Sequence, residues 1–225
     1  MNTLFIEREI EGCIQWIQQY RDKGWIAYYV NIMFERLDGT TTEILEQMRD
    51  AIYREFYKPF MLKFVRDPHR RAEQEWMPQL KLYPDLPMLR QKRRKTSIRE
   101  VKINGGGLHY NGFLLIPPVS RFWGDPVELI QESHSLYCRH RIDRIHPEYV
   151  NDDVRRVVEY ATKTIAEGRA ELDDMLVLPR SLAEVKRANS PIAPEQKSIK
   201  DIVSAYNVSE EQARQMYQAQ QRTTA

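Results

Sequence analysis

The sequence predicts an α+β fold, a central antiparallel sheet with flanking helices, and three observations carry that expectation. A dense aromatic and aliphatic run, Trp25 to Phe34, has the length and composition of a buried strand. It lies between two stretches whose apolar residues recur at threes and fours: Ile6, Ile10, Ile14 and Ile17 before it, and Ile44, Leu45, Met48, Ile52 and Phe56 after it. Farther along, two strand-like segments, Thr96 to Ile103 and Leu108 to Ile116, flank the turn Gly105 to Gly107 and read as an antiparallel pair.

The elements follow in order. The opening helix runs from Leu4 to Tyr20, and Gly24 ends it. Asp38-Gly39 closes the first strand, and Thr41 or Thr42 caps the second helix. Between Asp67 and Leu89 the prolines at 68, 78, 84 and 87 interrupt every pattern, so this stretch reads as an irregular excursion. Pro117-Pro118 stops the strand that begins at Leu108, another strand is expected over Tyr137 to His146, and a helix from Asn151 to Glu167 is terminated by Gly168. Residues 176–195, with Pro179 and the run ANSPIAP, read as a linker with one helical stretch between Ser181 and Ala188. Residues 196–225 read as a helical hairpin or a helix-turn-helix-like tail, with Ser209 and Gln212 placed as a reciprocal cap. The expected organisation is a domain over 1–175, a linker over 176–195 and the tail.

At 225 residues the chain supports one substantial core and is too short for a nuclease joined to a full motor domain. Cys13 and Cys138 are the only cysteines and lie far apart, which supports neither a disulfide scaffold nor a cysteine-rich zinc site. The first residues meet charge too soon for a secretory segment, and no apolar run approaches the roughly 18 residues a bilayer span needs. The expectation is a soluble cytoplasmic protein without a membrane partner.

The net charge of +2 hides a concentrated strip. Arg90, Lys92, Arg93, Arg94, Lys95, Arg99 and Lys102 face one acid, Glu100, giving +6 over thirteen residues and leaving −4 for the rest of the chain. Such a strip can hold phosphates and make DNA binding strongly salt-dependent; it can equally be a solvated loop. Arg139, Arg141 and Arg144 extend the basic character, moderated by Asp143. His134, His140 and His146 fit no ligand motif and read as surface or DNA-contact residues, while Tyr28, Tyr29 and Phe34 read as core.

Two constellations could carry chemistry. His109 and Asn111 lie two apart in LHYNGFLL, so a strand points both to one face, where an imidazole nitrogen and an amide oxygen can converge on Mg²⁺ or Mn²⁺. Glu100, carried alongside His109 by hairpin pairing, would supply the third ligand. The plain alternative is a half-buried strand whose polar residues meet solvent. On the helix from Asn151, Val154, Val157, Val158, Ala161 and Ile165 form the apolar face, with Tyr160 and Lys163 one turn apart beside it and Arg156 one turn earlier. A phenol, titrating near ~10, attacks phosphorus poorly unless cations assist, and Lys163 is such a cation. A surface tyrosine with a neighbouring ammonium is the plain alternative here.

Taken together, the run Tyr29 to Phe34, Glu100 with GGGLHYNGFLLIPP, and VVEYATKTI at Val157 to Ile165 resemble the rolling-circle replication initiator and relaxase-like endonucleases of the HUH superfamily, over roughly Trp25 to Glu167. The resemblance implies a ferredoxin/RRM-like core and a divalent metal, Mg²⁺ or Mn²⁺, held by His109, Asn111 and Glu100. It implies that Tyr160 cleaves single-stranded or hairpin origin DNA with Lys163 in support, leaving a 5′-phosphotyrosine and a free 3′ hydroxyl. Arg156 and the strip from Arg90 to Lys102 would contact DNA. The sequence contains no Gly-x-x-x-x-Gly-Lys loop, so a helicase would be a separate host protein. Asn111 departs from the pattern: most members have a second histidine there and some viral initiators glutamine, and the shorter amide implies weaker metal binding. Two other readings stay open. One is a catalytically decayed DNA-binding or regulatory protein of the same fold; the other is an interaction protein whose tail docks a partner.

Overall fold

The computed structural model describes residues 3–85, 107–151 and 153–179. The expected class holds: among the described residues five antiparallel strands form one sheet, in the order β4-β1-β3-β2-β5, with helices on both faces. Helix α1 (Thr3–Arg21) leads into β1 (Ile26–Phe34), followed by α2 (Thr41–Ala51), a π-helical turn (Ile52–Tyr57) and α3 (Lys58–Phe64). Strands β2 (Gln79–Asp85) and β3 (His109–Ile116), helix α4 (Pro126–Glu132), strand β4 (Ile142–Tyr149), helix α5 (Val154–Ala166) and the short strand β5 (Leu176–Leu178) complete the described domain. Among the described residues no helix is long and apolar enough to cross a membrane.

Alternation along β1 and β3 builds two cores. Val30, Ile32, Tyr110 and Leu114 face one side and pack with α2, the π-helical turn and α3 through Ile44, Met48, Ile52, Phe56, Phe60 and Phe64. Ala27, Phe113 and Leu115 face the other and pack with α1 and α5 through Cys13, Ile17, Tyr20, Val158, Ala161 and Ile165. The apolar periodicity seen in both flanking helices therefore serves opposite faces of one sheet. Thr40 caps α2 one residue before the expected threonines, its hydroxyl accepting from the Glu43 N–H while Glu43 accepts from the Thr40 N–H at 2.7 Å. Gly168, at φ +66, ends α5 as expected.

Four expectations need correction. The proline-rich excursion contains a strand, β2, with Pro84 inside it. Pro84 is tolerated because β5 pairs only with Leu80, Lys81 and Leu82, so the missing N–H lies beyond the reach of that neighbour. Second, the neighbours of β3 from His109 to Leu115 are β1 and β2, where the expected neighbour was Thr96 to Ile103. That segment lies outside the described residues, as do Glu100, the basic strip from Arg90 to Lys102 and residues 180–225 with the expected tail. Third, the strand expected at Tyr137 begins at Ile142, because His134–Tyr137 forms a helical turn. Fourth, the segment read as linker from Leu176 starts inside the sheet as β5.

Candidate active site

The register fixes which side chains meet. His109, the first residue of β3, stands opposite Asp85, the last residue of β2, on one side and Met33 of β1 on the other. With a period of two, Asp85, Tyr83, His109 and Asn111 belong to the same neighbourhood of the α1/α5 face. Helix α5 crosses this face and brings Lys163 and Thr164 down onto Asp85.

Asp85 is the hub. Its Oδ2 accepts from Lys163 Nζ at 2.7 Å and from Asn111 Nδ2 at 3.3 Å, and lies 3.0 Å from His109 Nε2. Its Oδ1 accepts from the Thr164 hydroxyl at 2.7 Å, with Arg169 Nη2 at 4.0 Å. Burial alone pushes this carboxyl up, but the bonds from His109, Lys163 and Thr164 outweigh burial and hold it well below the usual carboxylate range. Burial lowers the Lys163 ammonium, and the Asp85 carboxylate, with a smaller contribution from Tyr160, more than reverses that, raising it above its ordinary value.

The donor set suits a hard or borderline divalent ion: a carboxylate, an imidazole and an amide. His109 Nδ1 lies 2.9 Å from the Gly107 carbonyl oxygen. With the proton on Nδ1, the ring donates to that carbonyl and turns the Nε2 lone pair toward Asp85, the tautomer that metal-ligating histidines adopt. With the proton on Nε2, it donates to Asp85 instead. Asn111 is fully buried, and its Oδ1 has no hydrogen-bond partner although its Nδ2 is engaged. An orphaned buried oxygen is uncommon and costs stability, which fits an atom kept for a ligand. Among the described residues no three His, Cys, Asp or Glu side chains cluster as a metal centre; the third donor here is the amide.

The nucleophile candidate sits at the edge of this cluster. Tyr160 is 52% exposed, and Lys163 Nζ lies 4.1 Å from its ring centroid. Lys163 thus spans from the Asp85 carboxylate to the Tyr160 ring. Tyr29, read from sequence as core, is only partly buried: it meets Tyr160 edge-on, and its hydroxyl is buried without a partner. Arg156 is exposed one turn before Tyr160.

His109, Asn111, Tyr160 and Lys163, all singled out in the sequence, meet around Asp85, which with Thr164 and Arg169 was not singled out there. Asp85 does have a signal: Leu80 and Leu82 alternate with Gln79, Lys81 and Tyr83, and the prolines masked that alternation. Of the outlying basic residues, Arg141 is committed elsewhere, donating to Glu55 and Asp50 at 2.9 Å each. His134 and His140 are exposed, and exposed His146 lies 3.0 Å from Glu148. Comparison of the chain with protein-family models, curated proteins and solved structures finds no match.

Proposed function

We propose that this chain is a site-specific single-stranded DNA endonuclease and ligase of the HUH rolling-circle initiator type, working through a 5′-phosphotyrosine. The observation that supports it is the convergence of Asp85, His109 and Asn111 on one side of Lys163 with Tyr160 on the other. In this reading Asp85 takes the acidic-ligand role that the resemblance gave to Glu100. A divalent ion, Mg²⁺ or Mn²⁺, held by Asp85, His109 and Asn111 would supply Lewis-acid polarisation of a phosphate oxygen.

The remaining chemistry belongs to the chain. The Tyr160 oxygen attacks phosphorus, the bond from phosphorus to the 3′ oxygen breaks, and the 5′ phosphate stays on tyrosine while the other strand end leaves as a 3′ hydroxyl. The reverse attack by a 3′ hydroxyl rejoins the strand and frees the phenol. Exposure lets Tyr160 reach a phosphodiester, and the Lys163 ammonium stabilises negative charge on the phenolate. Thr164 holds Asp85 Oδ1, leaving Oδ2 turned toward His109 and Asn111. The substrate is single-stranded or hairpin origin DNA, and unwinding falls to a separate helicase.

The test uses purified protein and its Tyr160→Phe variant with a labelled pool of single-stranded hairpins, in Mn²⁺ or EDTA, on a denaturing gel. A Mn²⁺-dependent covalent band that the variant lacks is the expected result. Asn111, where a second histidine is usual, favours one competing reading, a DNA-binding protein without catalysis. Salt-resistant, sequence-selective binding without a covalent band would decide for that reading.

A further inference from the structure

We infer that Lys163 is the resident counter-cation of Asp85, and that it moves to the Tyr160 phenol when a divalent ion takes that carboxylate, so that loading the site and priming the nucleophile are one event. This deepens the function proposed above and rests on it.

Three partners crowd one carboxylate oxygen. Asp85 Oδ2 has Lys163 at 2.7 Å, His109 at 3.0 Å and Asn111 at 3.3 Å, three nitrogens for an atom with two lone pairs. A cation on this oxygen competes with the nitrogens already there, and the shortest of those contacts is the Lys163 ammonium at 2.7 Å. His109 and Asn111 are anchored on β3, which has neighbours on both sides, and are themselves ligand candidates. Lys163 differs from both: it carries a full positive charge that repels an incoming cation, and it rides on a flexible four-carbon stem.

The alternative position for the ammonium is already adjacent. Nζ lies 4.1 Å from the Tyr160 ring centroid, three residues earlier on the same helix, and the Lys163 side chain is 31% exposed, which leaves it room to swing. Arg169 is not equivalent, since its Nε is held by Glu167 at 2.6 Å and its side chain is 10% exposed. Thr164 and Arg169 both address Asp85 Oδ1, so the carboxylate stays anchored while its other oxygen changes partners. Without the exchange, the Lys163 ammonium is shared between the Asp85 carboxylate and Tyr160.

The experiment needs no DNA. Full-length wild type, Lys163→Met, Lys163→Arg and His109→Ala are titrated with Mn²⁺ while free ion is read by electron paramagnetic resonance. Lys163→Met should bind Mn²⁺ about tenfold more tightly than wild type, Lys163→Arg near the wild-type value, and His109→Ala more weakly. Equal affinity in wild type and Lys163→Met, with His109→Ala still weakened, overturns the exchange and leaves the metal reading standing. Absence of Mn²⁺ binding in every protein overturns the metal reading and this inference with it. Nitration of Tyr160 by tetranitromethane, followed by mass spectrometry of the peptide beginning at Val157, reads the other half. Mg²⁺ should raise nitration in wild type and leave Lys163→Met unchanged; a rise in both, or in neither, overturns delivery of the ammonium to the phenol.

Discussion

Tyr29 on β1 and Tyr160 on α5 meet edge to face, their ring centroids 6.1 Å apart and their planes at 66°. An exposed tyrosine on a helix surface would otherwise sample several rotamers, and this contact holds the ring on the side where Lys163 lies. On the function proposed above, Tyr29→Ala should slow covalent adduct formation by about tenfold with little change in DNA affinity, because positioning and not binding is lost. Tyr29→Phe keeps the ring and removes a buried hydroxyl that has no partner, so it should retain the rate and melt no lower than wild type. Single-turnover kinetics and a thermal melt check both; equal rates for wild type and Tyr29→Ala would remove Tyr29 from the site.

Asn111 sets stability against ligand binding. Threonine has nearly the same volume, favours a strand and carries no carbonyl oxygen to leave unpaired, so Asn111→Thr should melt at the wild-type temperature or above it. The same change removes a ligand candidate and should weaken Mn²⁺ binding by about tenfold or more. Calorimetric melting and Mn²⁺ titration on one preparation measure the two effects side by side, and unaltered affinity would take Asn111 out of the ligand set.

Gly112 keeps β2 against β3. A Cβ there would collide with the Lys81 carbonyl oxygen and stand 2.9 Å from Leu82 Cα, at φ +158. Gly112→Ala should cost about 2–3 kcal/mol by chemical denaturation. Because β2 also carries Asp85, Mn²⁺ affinity should fall with stability. Gly12→Ala on α1 is the matched control: its Cβ meets nothing within 4 Å, and stability should rise by about 0.5–1 kcal/mol.

Glu55 is one of the carboxylates, with Asp85 and Asp50, through which acid should destabilise the fold. The π-helical turn buries this side chain, where it accepts from the N–H groups of His140 and Arg141 and from Arg141 Nε. Burial raises its carboxyl, but the Arg141 and backbone bonds outweigh that and leave it below the ordinary value. The unfolded chain therefore binds the proton more readily, and unfolding free energy rises with pH across this window. The contribution is complete above the unfolded value of about 4.3 and is lost as pH falls through the folded one. Glu55→Gln should cost about 1–3 kcal/mol at pH 7 and flatten the acid limb of a stability-pH curve. An unchanged limb would assign acid unfolding to other groups.

Much of this molecule was legible in one dimension. Ile44, Met48, Ile52 and Phe56 announce a helix packed on a sheet, and Val154, Val158, Ala161 and Ile165 announce another, because burying one face imposes a period on sequence. The two-residue spacing of His109 and Asn111 put both on one face for the same reason. Register was not legible: nothing in the composition near Asp85 says that it stands opposite His109, since pairing between strands depends on the whole sheet. Prolines hid β2, although at Pro84 a strand tolerates one beyond the end of its neighbour. Pro147 within β4 is tolerated in the same way, on a strand whose one partner among the described residues is β1.

The central place of β3 divides the site by timescale. Amides on a strand bordered by two others exchange with solvent only when the sheet itself opens, whereas a surface helix can detach on its own with a smaller free energy. His109 and Asn111 belong to the slowest part of the molecule, while Tyr160 and Lys163 belong to an element able to breathe independently. The helix that carries Tyr160 can thus loosen while His109 and Asn111 stay in the sheet, and hydrogen exchange should resolve α5 and β3 as separate units.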